Sequence, residues 1–341
     1  MHVQLRDWVL GLFCSGQRTL DTVARTRGAA IHVIILDGTM SSLDKGCETN
    51  AGLTFRLLQE AGRRANLTVY YEAGIQWRDW SGTWGVITGK GINHQIERAY
   101  GVLASRYKIG DRIILIGYSR GAYAVRSLAG IIDYVGLLKA EHAMVRTVRQ
   151  AYRHYKMGAK SDMTNRFRDQ FCHADVHIEA VAVWDTVKAL GLQLPIVWRW
   201  AQAQHDYHNH RLGNHVRNGF QALAIDETRK AYAPVMWDEP PDWDGHIEQV
   251  WFRGTHGDVG GQLAGHLAAR PLANIPLVWM LTRLETCGID LPNGWQDRFP
   301  QDPNAPSIGA WRGWSKMFLS RRSRIMLAGP SESIHPSGLR D

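Results

Sequence analysis

Ile113-Ile114-Leu115-Ile116-Gly117-Tyr118-Ser119-Arg120-Gly121-Ala122-Tyr123 is the stretch from which the rest of the chain can be read. Its four leading apolar residues make a short buried strand, and the amphipathic stretch from Arg120 to Leu138 makes a helix. Between them stands G-x-S-x-G, which sets a serine on the sharp turn where strand becomes helix. The glycines have a steric reason. A side chain two positions either side of Ser119 would collide with the neighbouring strand or the helix, and the serine must hold a strained backbone angle. Gly121, Ala122 and Ala124 let the helix begin close against the sheet.

Outward from this turn the chain alternates. Upstream, Ile31 to Leu36 reads as a strand closed by Asp37-Gly38-Thr39, and Asn50 to Ala61 carries Leu53, Leu57, Leu58 and Ala61 at helical spacing. Leu67 to Tyr71 is a second strand. A Gly- and Trp-rich loop, 75–91, leads to a helix marked by Ile92, Ile96, Ala99, Leu103 and Tyr107. Downstream, a basic helical stretch runs from Leu138 to about Phe171, and Ile178 to Trp184 is a strand ended by Asp185-Thr186. A His- and Trp-rich insertion then leads to an expected helix from Phe220 to Ala233, a strand from Gln249 to Phe252 and a helix around Ile275 to Glu285. Such alternation predicts an α/β fold of the α/β-hydrolase type, with a mostly parallel sheet, helices on both faces and a helical insertion or cap. With no repeat, low-complexity linker or clean boundary, a single domain over 1–341 is expected. Its parts are a helical lead-in (1–30), a catalytic core (31–262) with insertions at 139–177 and 188–218, and a C-terminal helical extension (263–341).

The 341 residues are 45% hydrophobic and 21% charged, which supports a filled core and excludes disorder as the default. A net charge of +8 favours anionic surfaces. No zinc-finger spacing or RNA-binding signature accompanies that charge, so nucleic acid is not expected as a partner. Cys14, Cys47, Cys172 and Cys287 form no C-x-x-C pair and read as free thiols in a reducing compartment. No apolar run approaches the length of a membrane span. Trp8 to Phe13 is too short for a signal peptide and lacks a basic leader, so it is expected as a docking helix in a protein that is cytoplasmic as synthesised.

A serine hydroxyl becomes a good nucleophile only when a neighbouring base takes its proton, and that base needs an acid to orient it. In α/β-hydrolases these groups follow in the order Ser, Asp or Glu, His, each just past the carboxyl end of a strand. Ser119, Asp185 and His256 meet that order, His256 lying in the glycine-dense Arg253-Gly254-Thr255-His256-Gly257-Asp258. Asp258 is the alternative acid, with Asp226 a third. The oxyanion hole is expected from the backbone N–H of Arg120 and an N–H around Gly38-Thr39.

Ile35-Leu36-Asp37-Gly38-Thr39, Gly117-Tyr118-Ser119-Arg120-Gly121-Ala122-Tyr123, Val183-Trp184-Asp185-Thr186-Val187, Ala224-Ile225-Asp226-Glu227 and Trp251 through Gly261 occur in that order. Together they resemble the DUF2235 family of α/β-hydrolases, which includes the catalytic domain of Tle1-type phospholipase effectors of type VI secretion. Glu332 to Ser337 resembles the end of that domain. The resemblance implies phospholipase A activity on glycerophospholipids, with Ser119 as nucleophile, His256 as base and Asp185 as acid. It also implies export by a signal-independent secretion system, with an immunity or delivery partner that no motif identifies. Two rival readings are a carboxylesterase on small soluble esters and a binding module on the same fold. The intact Ser, Asp and His set argues against the second.

Other motifs fail on their chemistry. Ile35-Leu36-Asp37-Gly38-Thr39 lacks the aspartate nucleophile of a D-x-D-G-T phosphatase, leaving Asp37 to brace the oxyanion loop. Gly85 to Gly91 misses the spacing of a phosphate-binding loop. His205, His208, His210 and His215 have no cysteines at finger spacing and no H-E-x-x-H, so no metal and no cofactor are expected. Arg146, Arg149, Arg153 and Lys156 align on one helical face beside Val145, Val148, Tyr152 and Tyr155. That stripe is the candidate for contact with an anionic membrane.

Overall fold

Eight strands join into one sheet: β1 (Arg18–Leu20), β2 (Ile31–Leu36), β3 (Leu67–Glu72), β4 (Arg112–Tyr118), β5 (Ile178–Trp184), β6 (Val216–Ala224), β7 (His246–Phe252) and β8 (Glu332–Ile334). Their spatial order is β1-β3-β2-β4-β5-β6-β7-β8. Seven run parallel, and β1 pairs antiparallel at the β3 edge. The computed structural model describes residues 18–20, 29–62, 66–74, 90–158, 161–187, 211–239, 243–311 and 320–339. Trp8 to Phe13, residues 75–89 of the Gly- and Trp-rich loop, and His205, His208 and His210 lie outside them.

The period of two along each central strand divides its side chains between two cores. In β2, Ile34 and Leu36 join one cluster and Ile31, Val33 and Ile35 the other; β4 splits in the same way. Strands buried on both faces carry continuous apolar runs, as a parallel sheet requires. The first core is covered by α2 (Lys90–Arg106), α3 (Arg120–Tyr134) and α4 (Val145–Met157), through residues such as Ile96, Val125 and Val148. The second is covered by α1 (Asn50–Glu60) and α7 (Arg270–Thr286), through Phe55, Leu277 and Met280. Strand order reverses between β2 and β4, and the carboxyl ends at such a switch point are where open α/β sheets bind ligands.

Four local expectations change. Within the helical lead-in expected over 1–30, Arg18–Leu20 is a strand, held to β3 by antiparallel pairing. Phe220 to Ala233 is not a helix: Val216–Ala224 is β6, parallel to both β5 and β7. Phe220, Ala222 and Ala224 face one core, while Gln221 between them is fully buried and hydrogen-bonded to Thr186 and Gln249. Pairing on both sides thus overrides a composition that suits either state. The basic stretch after Leu138 is two helices, α4 and α5 (Asp162–Phe171). Gly158 ends α4 in the left-handed conformation (φ 67°), and the Ser161 side chain caps the start of α5 by accepting from the Thr164 N–H. The C-terminal extension also does more than form helix, because β8 returns to the sheet beside β7.

Among the described residues no helix is long and apolar enough to cross a membrane. Cys47, Cys172 and Cys287 are free thiols, the last two buried.

Candidate active site

The elbow forms where β4 meets α3. Ser119 has φ 57° and ψ −119°, a backbone state that costs about 1–3 kcal/mol and persists only where the surroundings impose it. They do so here. The Ser119 N–H donates to the Trp184 carbonyl at 3.0 Å. A side chain on Gly121 would lie 2.1 Å from the Leu36 carbonyl oxygen, so only glycine admits this approach of α3 to β2.

Ser119 Oγ lies 2.8 Å from His256 Nε2, and His256 Nδ1 lies 2.6 Å from Asp185 Oδ2. All three residues are buried. With Asp185 accepting at Nδ1–H, the free lone pair of Nε2 points at the serine hydroxyl, the tautomer a general base needs. Asp185 follows β5 directly, with φ 41°, and its N–H continues the sheet to the Ala222 carbonyl. His256 opens the five-residue helix α6 (His256–Gly260) just past β7. Its ring stacks on Tyr118 at 4.9 Å and meets the edge of Tyr232 at 4.8 Å. Gly260 packs so tightly on the Tyr118 ring that a Cβ there would sit 1.8 Å from it. The base is therefore fixed by aromatic packing as well as by Asp185.

Asp258, the alternative acid, has another task. Its Oδ2 accepts from the Thr255 N–H and hydroxyl at 2.8 Å each and from the Ser307 hydroxyl at 2.6 Å, while Oδ1 accepts from the Ile308 N–H. This is a capping box for α6 tied to the 307–308 loop. Asp226 accepts from the Gly254 N–H at 2.8 Å and braces the turn before His256. Its neighbour Glu227 accepts from the His256 N–H at 3.2 Å and pairs with Arg229.

The expected oxyanion donors divide. The Gly38 N–H donates to its neighbour Asp37 Oδ1 at 2.7 Å and is thereby occupied. The N–H groups of Thr39 and Arg120 have no hydrogen-bond partner among the described residues. Asp37 holds the loop through Thr49 and Tyr71, whose hydroxyls reach Oδ2 at 2.7 and 2.8 Å. Burial pushes its carboxyl up to about 6 against these hydrogen bonds.

Arg324 is the site residue that sequence reasoning missed. Nη1 donates to Asp185 Oδ1 at 2.5 Å and Nη2 to Oδ2 at 2.9 Å, and the two nitrogens also reach the Ala224 and Tyr232 carbonyls. Burial opposes the charge on Asp185, but the Arg324 guanidinium and then His256 hold its carboxyl far below the usual aspartate range. No local pattern marks Arg324 in an arginine-rich tail; only the fold brings it to Asp185.

Arg146, Arg149, Arg153 and Lys156 are exposed along α4, and none bonds to the triad. The adjoining Val148, Tyr152 and Tyr155 are buried in the core, so the apolar half of the expected membrane helix is already covered. Of the expected histidine cluster only His215 is described. One ligand atom from each of Asp175, His177 and His215 falls within 4.8 Å of the others, close enough to share a cation. They precede β5 and β6, at the end of the sheet opposite the triad.

A serine on an elbow, hydrogen-bonded to a histidine and an aspartate at the carboxyl ends of parallel strands, defines the α/β-hydrolase class. Residues 31–283 match the family described as the Tle1-like phospholipase effector of type VI secretion, catalytic domain, and the chain belongs to that family. An uncharacterised protein of Saccharomyces cerevisiae is 24% identical over 250 residues, covering 66% of this chain and 35% of its own. A solved Tle1 effector bound to the VgrG spike of the type VI secretion system shares 15% identity at a TM-score of 0.41, over 70% of this chain and 52% of that one. An uncharacterised Pseudomonas aeruginosa protein of known structure shares 16% at a TM-score of 0.46, over 80% of this chain and 49% of its own. The chain thus spans about a third of the yeast relative and about half of each of these two solved chains.

Proposed function

We propose that this chain is a serine hydrolase of lipid esters, of phospholipase A type, working through a covalent acyl-enzyme. The observation that carries the reading is the unbroken hydrogen-bond chain from Ser119 through His256 to Asp185. In this mechanism Ser119 Oγ attacks the ester carbonyl as His256 Nε2 takes its proton, and Asp185 stabilises the imidazolium. The oxyanion is met by the N–H groups of Thr39 and Arg120. Collapse breaks the ester bond, and His256 returns the proton to the departing alcohol. Water, deprotonated by the same histidine, then releases the fatty acid and restores Ser119.

Family membership supports a lipid ester over a small soluble one, and extends the proposal to delivery by a type VI system with its own delivery or immunity partner. Residues 1–341 are proposed to act as a single domain, since β8 and Arg324 come from beyond residue 262 yet join the sheet and the triad. The test is fatty-acid release from a phospholipid panel set beside short p-nitrophenyl esters, with purified protein and its Ser119→Ala variant. Release from phospholipid that disappears in the variant supports the reading. Turnover confined to the short esters makes the protein a carboxylesterase, and turnover that survives the substitution removes the serine mechanism.

A further inference from the structure

Beside the nucleophile stands a cation with no counter-charge among the described residues. Arg120 is only 5% exposed. Its Nε donates to the Thr39 hydroxyl, and Nη1 is buried with no hydrogen-bond partner among the described residues. No described carboxylate forms an ion pair with it. The other two buried arginines that border the site are both neutralised, Arg229 by Glu227 and Arg324 by Asp185. Burying a guanidinium without a counter-charge is costly, and a fold that retains one at its reaction centre leaves a position for an anion brought from outside. Burial already lowers its proton affinity, with Tyr232 acting in the opposite sense.

We infer that the Arg120 guanidinium is an anion subsite that binds the phosphate of the substrate's headgroup while the ester carbonyl lies over Ser119. The inference rests on the proposed lipid-ester hydrolase and assigns the side chain that recognises the headgroup. Three features converge. The guanidinium is tethered to Thr39, whose N–H together with that of Arg120 lines the oxyanion side, so the cation lies next to the carbonyl position. Arg120 is also the first residue of the fifteen-residue helix α3, whose amino end adds positive potential at the same place. In a glycerophospholipid the ester and the phosphate are carried on one short glycerol unit, so a phosphate group falls within reach of a side chain whose own backbone serves the ester. Guanidinium is the side chain best matched to phosphate oxygens, which it binds through two N–H groups.

Two measurements test this together. The first compares kcat/KM on dihexanoyl phosphatidylcholine with that on dihexanoylglycerol, which has the same acyl esters and no phosphate, for the unsubstituted protein, Arg120→Gln and Arg120→Lys. The expected result is a loss in Arg120→Gln that is roughly 10- to 100-fold larger on the phosphatidylcholine, with part of the difference recovered in Arg120→Lys. Equal losses on both esters overturn the inference. The second is calorimetric titration of glycerophosphocholine and of inorganic phosphate into Ser119→Ala, with and without Arg120→Gln, melting curves confirming that each variant is folded. Binding of glycerophosphocholine that depends on Arg120 supports the headgroup assignment. Arg120-dependent binding of inorganic phosphate alone, or no Arg120-dependent binding, overturns it. If neither ester is turned over by the unsubstituted protein, the hydrolase reading fails, and the titration still decides the subsite.

Discussion

At the scale of single residues, the site depends on where protons reside. Asp185→Asn removes the charge that stabilises the His256 imidazolium and presents an amide to Nδ1, so turnover should fall on the order of 10⁴-fold in a steady-state assay. Asp258→Asn should chiefly weaken the α6 cap and lower the melting temperature, with the smaller kinetic effect. Arg324→Met leaves a buried carboxylate without its cation and should cost about 3–5 kcal/mol near neutral pH. The Asp185 carboxyl lies below its ordinary value when folded, so the stability it contributes is present above the ordinary aspartate range and lost as pH falls through the lower folded value. The difference in melting temperature between wild type and Arg324→Met should therefore narrow as pH drops below about 4, the ordinary aspartate pKa. Asp37 has the opposite sign. With its carboxyl raised to about 6, stability should decline as pH climbs from about 4 to 6 and then level off. Asp37→Asn can keep the Gly38, Thr49 and Tyr71 contacts by turning the hydroxyls, and should flatten that part of a melting-temperature profile.

At the scale of elements, α4 shows how one periodic pattern serves two surfaces. Its buried face, Val148, Tyr152 and Tyr155, packs in the core shared with α2 and α3, and the four cations face outward together with Met157. Contact of the four cations with an anionic bilayer is electrostatic, and Val148, Tyr152 and Tyr155 are not available to insert. Tyr155→Ala should destabilise by about 3 kcal/mol or more in chemical denaturation, because it empties a large buried volume. Changing Arg146, Arg149, Arg153 and Lys156 together to Glu should leave the core packing intact and abolish salt-sensitive co-sedimentation with anionic vesicles. Vesicle binding that ignores both salt and these substitutions would remove α4 from the proposal.

At the scale of the whole molecule, the proposed catalytic groups are assembled from distant pieces of one sheet. Ser119, Asp185 and His256 sit past β4, β5 and β7, while the cation on Asp185 comes from the segment leading to β8. The family match ends at residue 283, before that cation. A chain cut after residue 310 retains every triad residue and loses both Arg324 and β8. It should melt at lower temperature and lose most of its turnover, read by circular dichroism and fatty-acid release. Full turnover in the shortened chain would show that Arg324 is dispensable to the triad.

What the sequence determined by itself was local or periodic. The apolar runs of β2, β4 and β5 and the glycines around Ser119 report on their own surroundings, because a strand buried on both faces and a strained turn each restrict which residues fit. The order Ser119, Asp185, His256 was legible because each follows a strand in a recognisable context. Tertiary structure decided what depends on partners far along the chain. It made Val216–Ala224 a strand by pairing it on both edges, although its residues suit either state. It occupied the Gly38 N–H with Asp37, assigned Asp258 to a cap, and turned Val148, Tyr152 and Tyr155 inward. It brought Arg324 across 139 positions to Asp185 and left Arg120 beside Ser119 with no described carboxylate. Hydrogen bonds and ion pairs across such separations follow from packing geometry, and no window of neighbouring residues encodes them.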